Sequence, residues 1–141
     1  EVSHRDVGIG VSQVLPVLAA AYGSSRRLWA IEQPEIHLHP ALQADMGDVF
    51  VESALGPSHN RFILETHSEH LVLRLLRRIR ERYEGDASPD APPLTPEHVQ
   101  VLYAKPSDTG TQLHAIPIAE DGDFAEPWPD GFFSEREEEL F

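Results

Sequence analysis

Two short apolar runs constrain the fold of this chain more than any other feature: "LWAI" at residues 28–31 and "RFIL" at residues 61–64, each closing on a glutamate. Apolar residues at successive positions mark strands covered on both faces, which is the habit of parallel sheets. A helical pattern follows each run. After the first, Pro40 suits the opening helical position, and Leu42, Met46, Val49 and Phe50 recur at i, i+4, i+7 and i+8, with Asp45, Asp48 and Glu52 on the opposite face. Gly56 and Pro57 end that helix. After the second run Ser68 is placed to cap a helix whose apolar set is Val72, Leu75, Leu76, Ile79 and Tyr83. Strand, helix, strand, helix within about sixty residues predicts an α/β fold with parallel strands, and in such sheets ligands bind beyond the carboxyl ends of the strands.

The flanks are plainer. "DVGIGVSQVLPVLAAAYG" reads as a glycine-bearing loop and then a helix with Ser12 as cap, Pro16 near the first turn and Gly23 as its end. Residues 85–97, "GDASPDAPPLTPE", are rich in proline and small polar residues and predict a linker or exposed loop. Beyond them "HVQVLYAKPSDTGTQLHAIPI" predicts two strands around a turn, with Val99, Val101 and Tyr103 on one side, and the tail is acidic with interleaved aromatics. The expected organisation is therefore residues 1–84 as an α/β lobe, 85–97 as a linker, and 98–141 as a β-hairpin with an acidic tail. The sequence begins at Glu1 and holds a single methionine, Met46, inside a helix. It reads as a piece of a longer protein.

Charge and composition exclude several functions. With 11 basic residues against 24 acidic ones the formal charge is −13, which opposes a general coating of nucleic acid or of an anionic membrane. The absence of cysteine rules out disulfides, thiolate metal sites and a cysteine nucleophile, and suits a reducing compartment. No apolar stretch approaches membrane-spanning length and "EVSHRDVG" is no signal peptide, so the expectation is a cytoplasmic protein without membrane contact. Arg74, Arg77, Arg78, Arg80 and Arg82 raise the question of DNA, but an arginine-rich solvated helix face paired with acids is the ordinary explanation. Trp128, Phe132 and Phe133 sit among acids and suit packing better than base stacking.

Chemistry concentrates at the two strand ends, Glu32 to His39 and Glu65 to His70. A carboxylate fixed there, Glu32, can hold magnesium or its water, and His67 can donate a hydrogen bond to a terminal phosphate oxygen. Gly8 and Gly10 let backbone N–H groups approach a phosphate, and Ser12 adds a hydroxyl at a helix start. His37, His39, His67 and His70 with the nearby acids also fit a zinc or manganese hydrolase, although that reading leaves the glycine and serine loop without a role.

In this order the motifs resemble the C-terminal half of an ATP-binding-cassette-type AAA-family ATPase head, nearest to the bacterial overcoming-lysogenization-defect, recombination-mediator and chromosome-maintenance ATPases. "GIGVSQ" (Gly8 to Gln13) is similar to the signature loop, "LWAIEQPE" to the Walker B strand and its following loop, and "ETHSEH" to the switch-histidine segment. "EIHLHP" is similar to the form this loop takes in the overcoming-lysogenization-defect group. The tail, with "DGDF" and "WPDGFF", looks like an uncharacterised domain appended to some of these ATPases.

The resemblance implies a magnesium-dependent ATPase working as a homodimer of heads. Glu32 would serve the metal, His67 the γ-phosphate, and Gly8, Gly10, Ser12 and Gln13 the ATP held by the opposite subunit. It implies a role in DNA repair or phage defence, with DNA or a nuclease as partner of the full-length protein. No G-x-x-x-x-G-K-[ST] occurs, so the Walker A loop is expected upstream of Glu1, and the chain by itself is expected to be inactive. Gln33 stands where the resembling ATPases usually carry glutamate, and an amide can orient water but cannot take its proton. A general base typically contributes ~10²- to 10⁴-fold. Either Glu35 replaces that base, the reading preferred here, or turnover is slow and the protein is a nucleotide-gated switch.

Overall fold

The structure, a computed structural model, describes residues 9–129. Its order is α1 (Ile9–Gly23), β1 (Leu28–Glu32), α2 (Pro40–Leu55), β2 (Arg61–Glu65), α3 (Glu69–Glu84), a 3₁₀ turn (Pro96–His98), β3 (Val101–Ser107) and β4 (Gly110–Ile116). The chain divides into two compact units, Glu1–Leu75 with Ser88–Leu94, and Leu76–Ala87 with Thr95–Phe141.

In the first unit β1 and β2 pair in parallel, with Leu28 beside Arg61 and Glu32 beside Glu65. The two strands thus end level, and both chemically loaded stretches emerge side by side. Val17, Met46, Phe50 and Leu71 form the buried cluster, with Val14, Ile31, Leu38, Phe62, Leu64 and Leu75 packed against it. The Phe50 and Phe62 rings lie 4.9 Å apart and tilted, joining α2 to the inner face of the sheet.

The expectation that both strands are covered on two faces does not hold among the described residues. Burial alternates instead, and Leu28 and Ile63 on the outer face are 65% and 60% exposed. The reason is that α1, α2 and the start of α3 all contribute their buried side chains to the single cluster that takes Ile31, Phe62 and Leu64.

Local signals explain the helix ends. Pro40 opens α2, where a missing N–H is harmless, and His39 caps it, its Nδ1 accepting from the Ala41 N–H at 3.3 Å. Ser68 caps α3, its Oγ accepting from the Leu71 N–H at 3.1 Å. Two expectations are corrected. Ser12 lies within α1 rather than capping it, and Pro16 lies in the helix interior, where it adds no donor to the ladder. In α2 and α3 the apolar stripe is rotated slightly from its expected set: Leu42 and Tyr83 are exposed, whereas Val51 and Leu71 are buried.

At the amino ends of the strands a polar hub closes the unit. Asn60, 1% exposed, donates through Nδ2 to the carbonyls of Ala21 and Ser24 and to Ser53 Oγ at 3.0–3.2 Å. Its Oδ1 accepts from the Arg27 N–H at 2.9 Å. One side chain thus joins the end of α1, the end of α2 and the entry to β1. The proline-rich stretch also departs from a purely exposed linker, because Leu94 is buried at 3% exposure.

In the second unit β3 and β4 pair antiparallel from Val101↔Ile116 to Ser107↔Gly110. Trp128 packs on Tyr103 and Phe124, as expected for a tail aromatic. Phe132 and Phe133 lie outside the described residues. Arg80 pairs with Asp123, and Arg77 and Arg78 both pair with Glu81 at 2.7 Å. In the first unit Arg74 bridges Asp48 at 2.6 Å and Asp45 at 3.3 Å. Four of the five helix arginines therefore engage acids of their own chain, the ordinary reading of such a face.

Candidate functional site

The level ends of β1 and β2 open onto a depression of about 310 Å³ lined by Gln33, Glu35, Ile36, His37, Gln43, His67 and Ser68. Much of its lining is a tight turn. The N–H of Ile36 donates to the Gln33 carbonyl at 3.1 Å and that of Leu38 to the Glu35 carbonyl at 3.0 Å. The turn is bracketed by two non-glycine residues in the left-handed region, Gln33 at φ +45° and His37 at φ +63°. Such residues are held there only where the surroundings dictate it.

The surroundings are two cross-links between neighbouring loops. The Gln33 N–H donates to the Glu65 carbonyl at 2.8 Å, and the His67 N–H donates to Glu35 Oε1 at 3.0 Å. Glu35 is 6% exposed, and its Oε2 is buried with no hydrogen-bond partner. The His67 ring is 68% exposed and its Nε2 lies 3.2 Å from Glu65 Oε1. Glu32 is exposed at the strand end, beside Glu65 in register and just outside the residues that line the depression.

The structure brings Gln33, Glu35 and His67 into one depression with Glu32 at its edge. Gly10 lies close by, since a Cβ added there would sit 3.0 Å from the His37 carbonyl oxygen, so only glycine fits without displacing that loop. Ser12 and Gln13 lie further along α1 and do not line the depression; Gln13 Oε1 is buried without a hydrogen-bond partner. Gly8 lies outside the described residues.

Sequence reasoning missed Gln43. It donates to the Leu38 carbonyl at 3.0 Å and accepts from Ser68 Oγ at 2.7 Å, so it fixes the turn to the cap of α3. The available signal was a polar side chain in the first turns of a helix that starts at a loaded loop, a position from which it can reach backwards.

The donor set fits the groups that such a site would take. Glu32 offers hard, exposed carboxylate oxygens suited to magnesium, and the Gln33 amide and His67 imidazole offer hydrogen bonds suited to phosphate oxygen or water. Among the described residues no group of three or more histidines and acids stands close enough to hold a metal by itself, which leaves the zinc or manganese reading without support. No helix among them is long and apolar enough to cross a membrane.

Residues 1–72 match the family model described as AAA ATPase domain, and residues 94–141 match a family described as a protein of unknown function, DUF3696. No curated protein and no solved structure matches the chain. The first match takes in just over half of the 141 residues and carries every residue singled out at the strand ends: the chain belongs to the AAA ATPase domain family.

Proposed function

We propose that the intact protein binds and hydrolyses Mg-ATP as a homodimer of ABC-type heads, most similar to the overcoming-lysogenization-defect and recombination-mediator ATPases. The observation that carries this reading is the parallel register that sets Glu32 beside Glu65, with Gln33 and Glu35 bonded across to the residues around His67. Glu32 is the side chain that would hold magnesium, whose charge would offset that developing on the transferring phosphate. His67 would donate to the γ-phosphate. Gln33 and Glu35 are the two polar side chains of the turn after β1 that line the depression where an attacking water would sit. Gly8, Gly10, Ser12 and Gln13 would face the nucleotide of the opposite head, and the phosphate cradle would come from sequence outside these 141 residues. We place the protein in DNA repair or phage defence, with DNA or a nuclease as partner, on the resemblance of its motifs.

The second reading, a nucleotide-gated dimerisation switch that does not hydrolyse, is favoured by one observation. The carboxylate that lines the depression, Glu35, is buried and hydrogen-bonded, and Gln33 beside it cannot take a proton.

The test is phosphate release from Mg-ATP by the intact protein. The ATPase reading expects turnover that falls ~10²-fold or more in Glu32→Ala and in His67→Ala. A silent parent that gains turnover on Gln33→Glu would instead establish the switch.

A further inference from the structure

We infer that Glu35 is a positioning residue: it acts by accepting the His67 backbone N–H and so fixes His67 over the depression, not by taking a proton from water. The inference rests on the ATPase reading and deepens it.

Three observations lead here. First, the carboxylate is committed. Oε1 receives the His67 N–H at 3.0 Å and Oε2 has no surface open to solvent, so one oxygen is already engaged and the other is shielded. A general base has to lie within hydrogen-bond reach of the proton it abstracts. Second, the bond ties the turn after β1 directly to the residue that carries the His67 ring, beyond the last strand pair Glu32↔Glu65. Glu35 sits in the turn after β1 and His67 in the loop after β2, 32 residues apart, and the side chain of His67 has little else to hold it, being 68% exposed with an exposed glutamate as neighbour. Third, the turn that carries Glu35 is strained at both ends, at Gln33 and His37, and is fixed by bonds to its surroundings. One of those bonds runs from the Gln33 N–H to Glu65 at the end of β2, and one from Glu35 to the loop beyond it. Pro34 and Glu35 are the buried members of this turn, so the linkage is partly shielded from solvent. A backbone N–H bonded to a carboxylate is among the stronger hydrogen bonds a protein makes.

The distinction from a base is a chemical one. Glutamine keeps a carbonyl oxygen that can accept the His67 N–H but has no basicity, alanine keeps neither, and leucine fills the volume without accepting. In the intact protein Glu35→Gln should retain at least about a tenth of parental phosphate release, whereas Glu35→Ala and Glu35→Leu should fall about as far as His67→Ala, ~10²-fold. Because Glu35 works through His67, the double variant Glu35→Ala/His67→Ala should be no slower than the worse single variant. Hydrogen exchange of the His67 amide supplies a readout free of ATP. It should accelerate ~10-fold or more in Glu35→Leu and stay near the parent in Glu35→Gln.

Glu35→Gln falling as far as Glu35→Ala would overturn the proposal in favour of proton transfer. An unchanged His67 amide in Glu35→Leu would overturn it as well, because no linkage then exists. Should Glu35→Ala not fold, Glu35→Leu carries the same comparison. A parent with no turnover sinks the ATPase reading alone, and the linkage is then decided by the exchange of the His67 amide.

Discussion

Replacing Asn60 with alanine should destabilise the first unit by about 3 kcal/mol, and the figure follows from the bonds it makes. Asn60 serves the Ala21 carbonyl, the Ser24 carbonyl, the Ser53 hydroxyl and the Arg27 N–H from a site that is 1% exposed. On truncation the Ala21 carbonyl keeps the Ser53 hydroxyl, which donates to it at 2.7 Å. The Arg27 N–H and the Ser24 carbonyl lose the Asn60 bond outright. Leaving a buried donor or acceptor unmade costs roughly 1–3 kcal/mol each, and because the two groups are partly open to water the sum falls in the lower half of the resulting range, at about 3 kcal/mol. Ser53→Ala is the control: each of its two partners keeps another bond within the hub, so its cost should be about 1 kcal/mol. Urea unfolding followed by circular dichroism compares the two at equal slope. Asn60→Asp adds a directional check. Its carboxylate would face two carbonyl oxygens, so its folded-state pKa should rise above the unfolded value, with stability best at acid pH and lost as pH rises through that raised pKa. An Asn60→Ala variant no less stable than Ser53→Ala would refute the argument that the hub exists to satisfy buried backbone groups.

Two further predictions concern other parts of the chain. Gly122 sits at φ +79°, and a Cβ there would lie 2.5 Å from the Leu76 carbonyl oxygen and 2.9 Å from the Arg80 nitrogen, so Gly122→Ala should destabilise the second unit by roughly 2–4 kcal/mol in thermal unfolding. A change smaller than that of a surface glycine such as Gly85, where nothing lies within 4 Å, would refute it. The Tyr22 hydroxyl is pushed up to about 12 by partial burial and then by the bond it donates to Glu52 at 2.7 Å. Because the folded value lies above the ordinary 10, its contribution to stability is intact below pH 10 and is lost as pH rises toward 12. Absorbance titration of tyrosinate should show this late step vanish in Tyr22→Phe and move partway down in Glu52→Gln; no movement in either would count against it.

The helical spacing of α2 and α3, the start at Pro40 and the cap at Ser68 could be read from the sequence because each rests on local chemistry, whereas the face that α2 and α3 bury was set by tertiary packing. The alternation of burial along β1 and β2 could not, since a run such as "LWAI" is equally apolar whether one face or two are covered. At the site, the types and order of Glu32, Gln33, Glu35 and His67 were legible as chemistry at two strand ends. Their linkage was not. It depends on Glu35 turning inward to a backbone N–H 32 residues away, and on Gln43 reaching back to Ser68, neither of which leaves a spacing signal. Ser12 shows the converse failure: a good cap residue in sequence is still an interior residue when the helix begins before it.

The outer face of the β1–β2 pair has a colloidal consequence. Leu28 and Ile63 are exposed apolar side chains on a sheet of only two strands among the described residues, and such open edges and apolar faces favour association between copies. What opposes this at neutral pH is long-range repulsion from a formal charge of −13. That repulsion is weakened by salt, whose screening length at physiological strength is only about 8 Å, and it collapses as carboxylates protonate near pH 4–5. Dilute, low-salt, neutral buffer is therefore the condition in which this chain should stay dispersed, and mild acid the one in which it should come out of solution first.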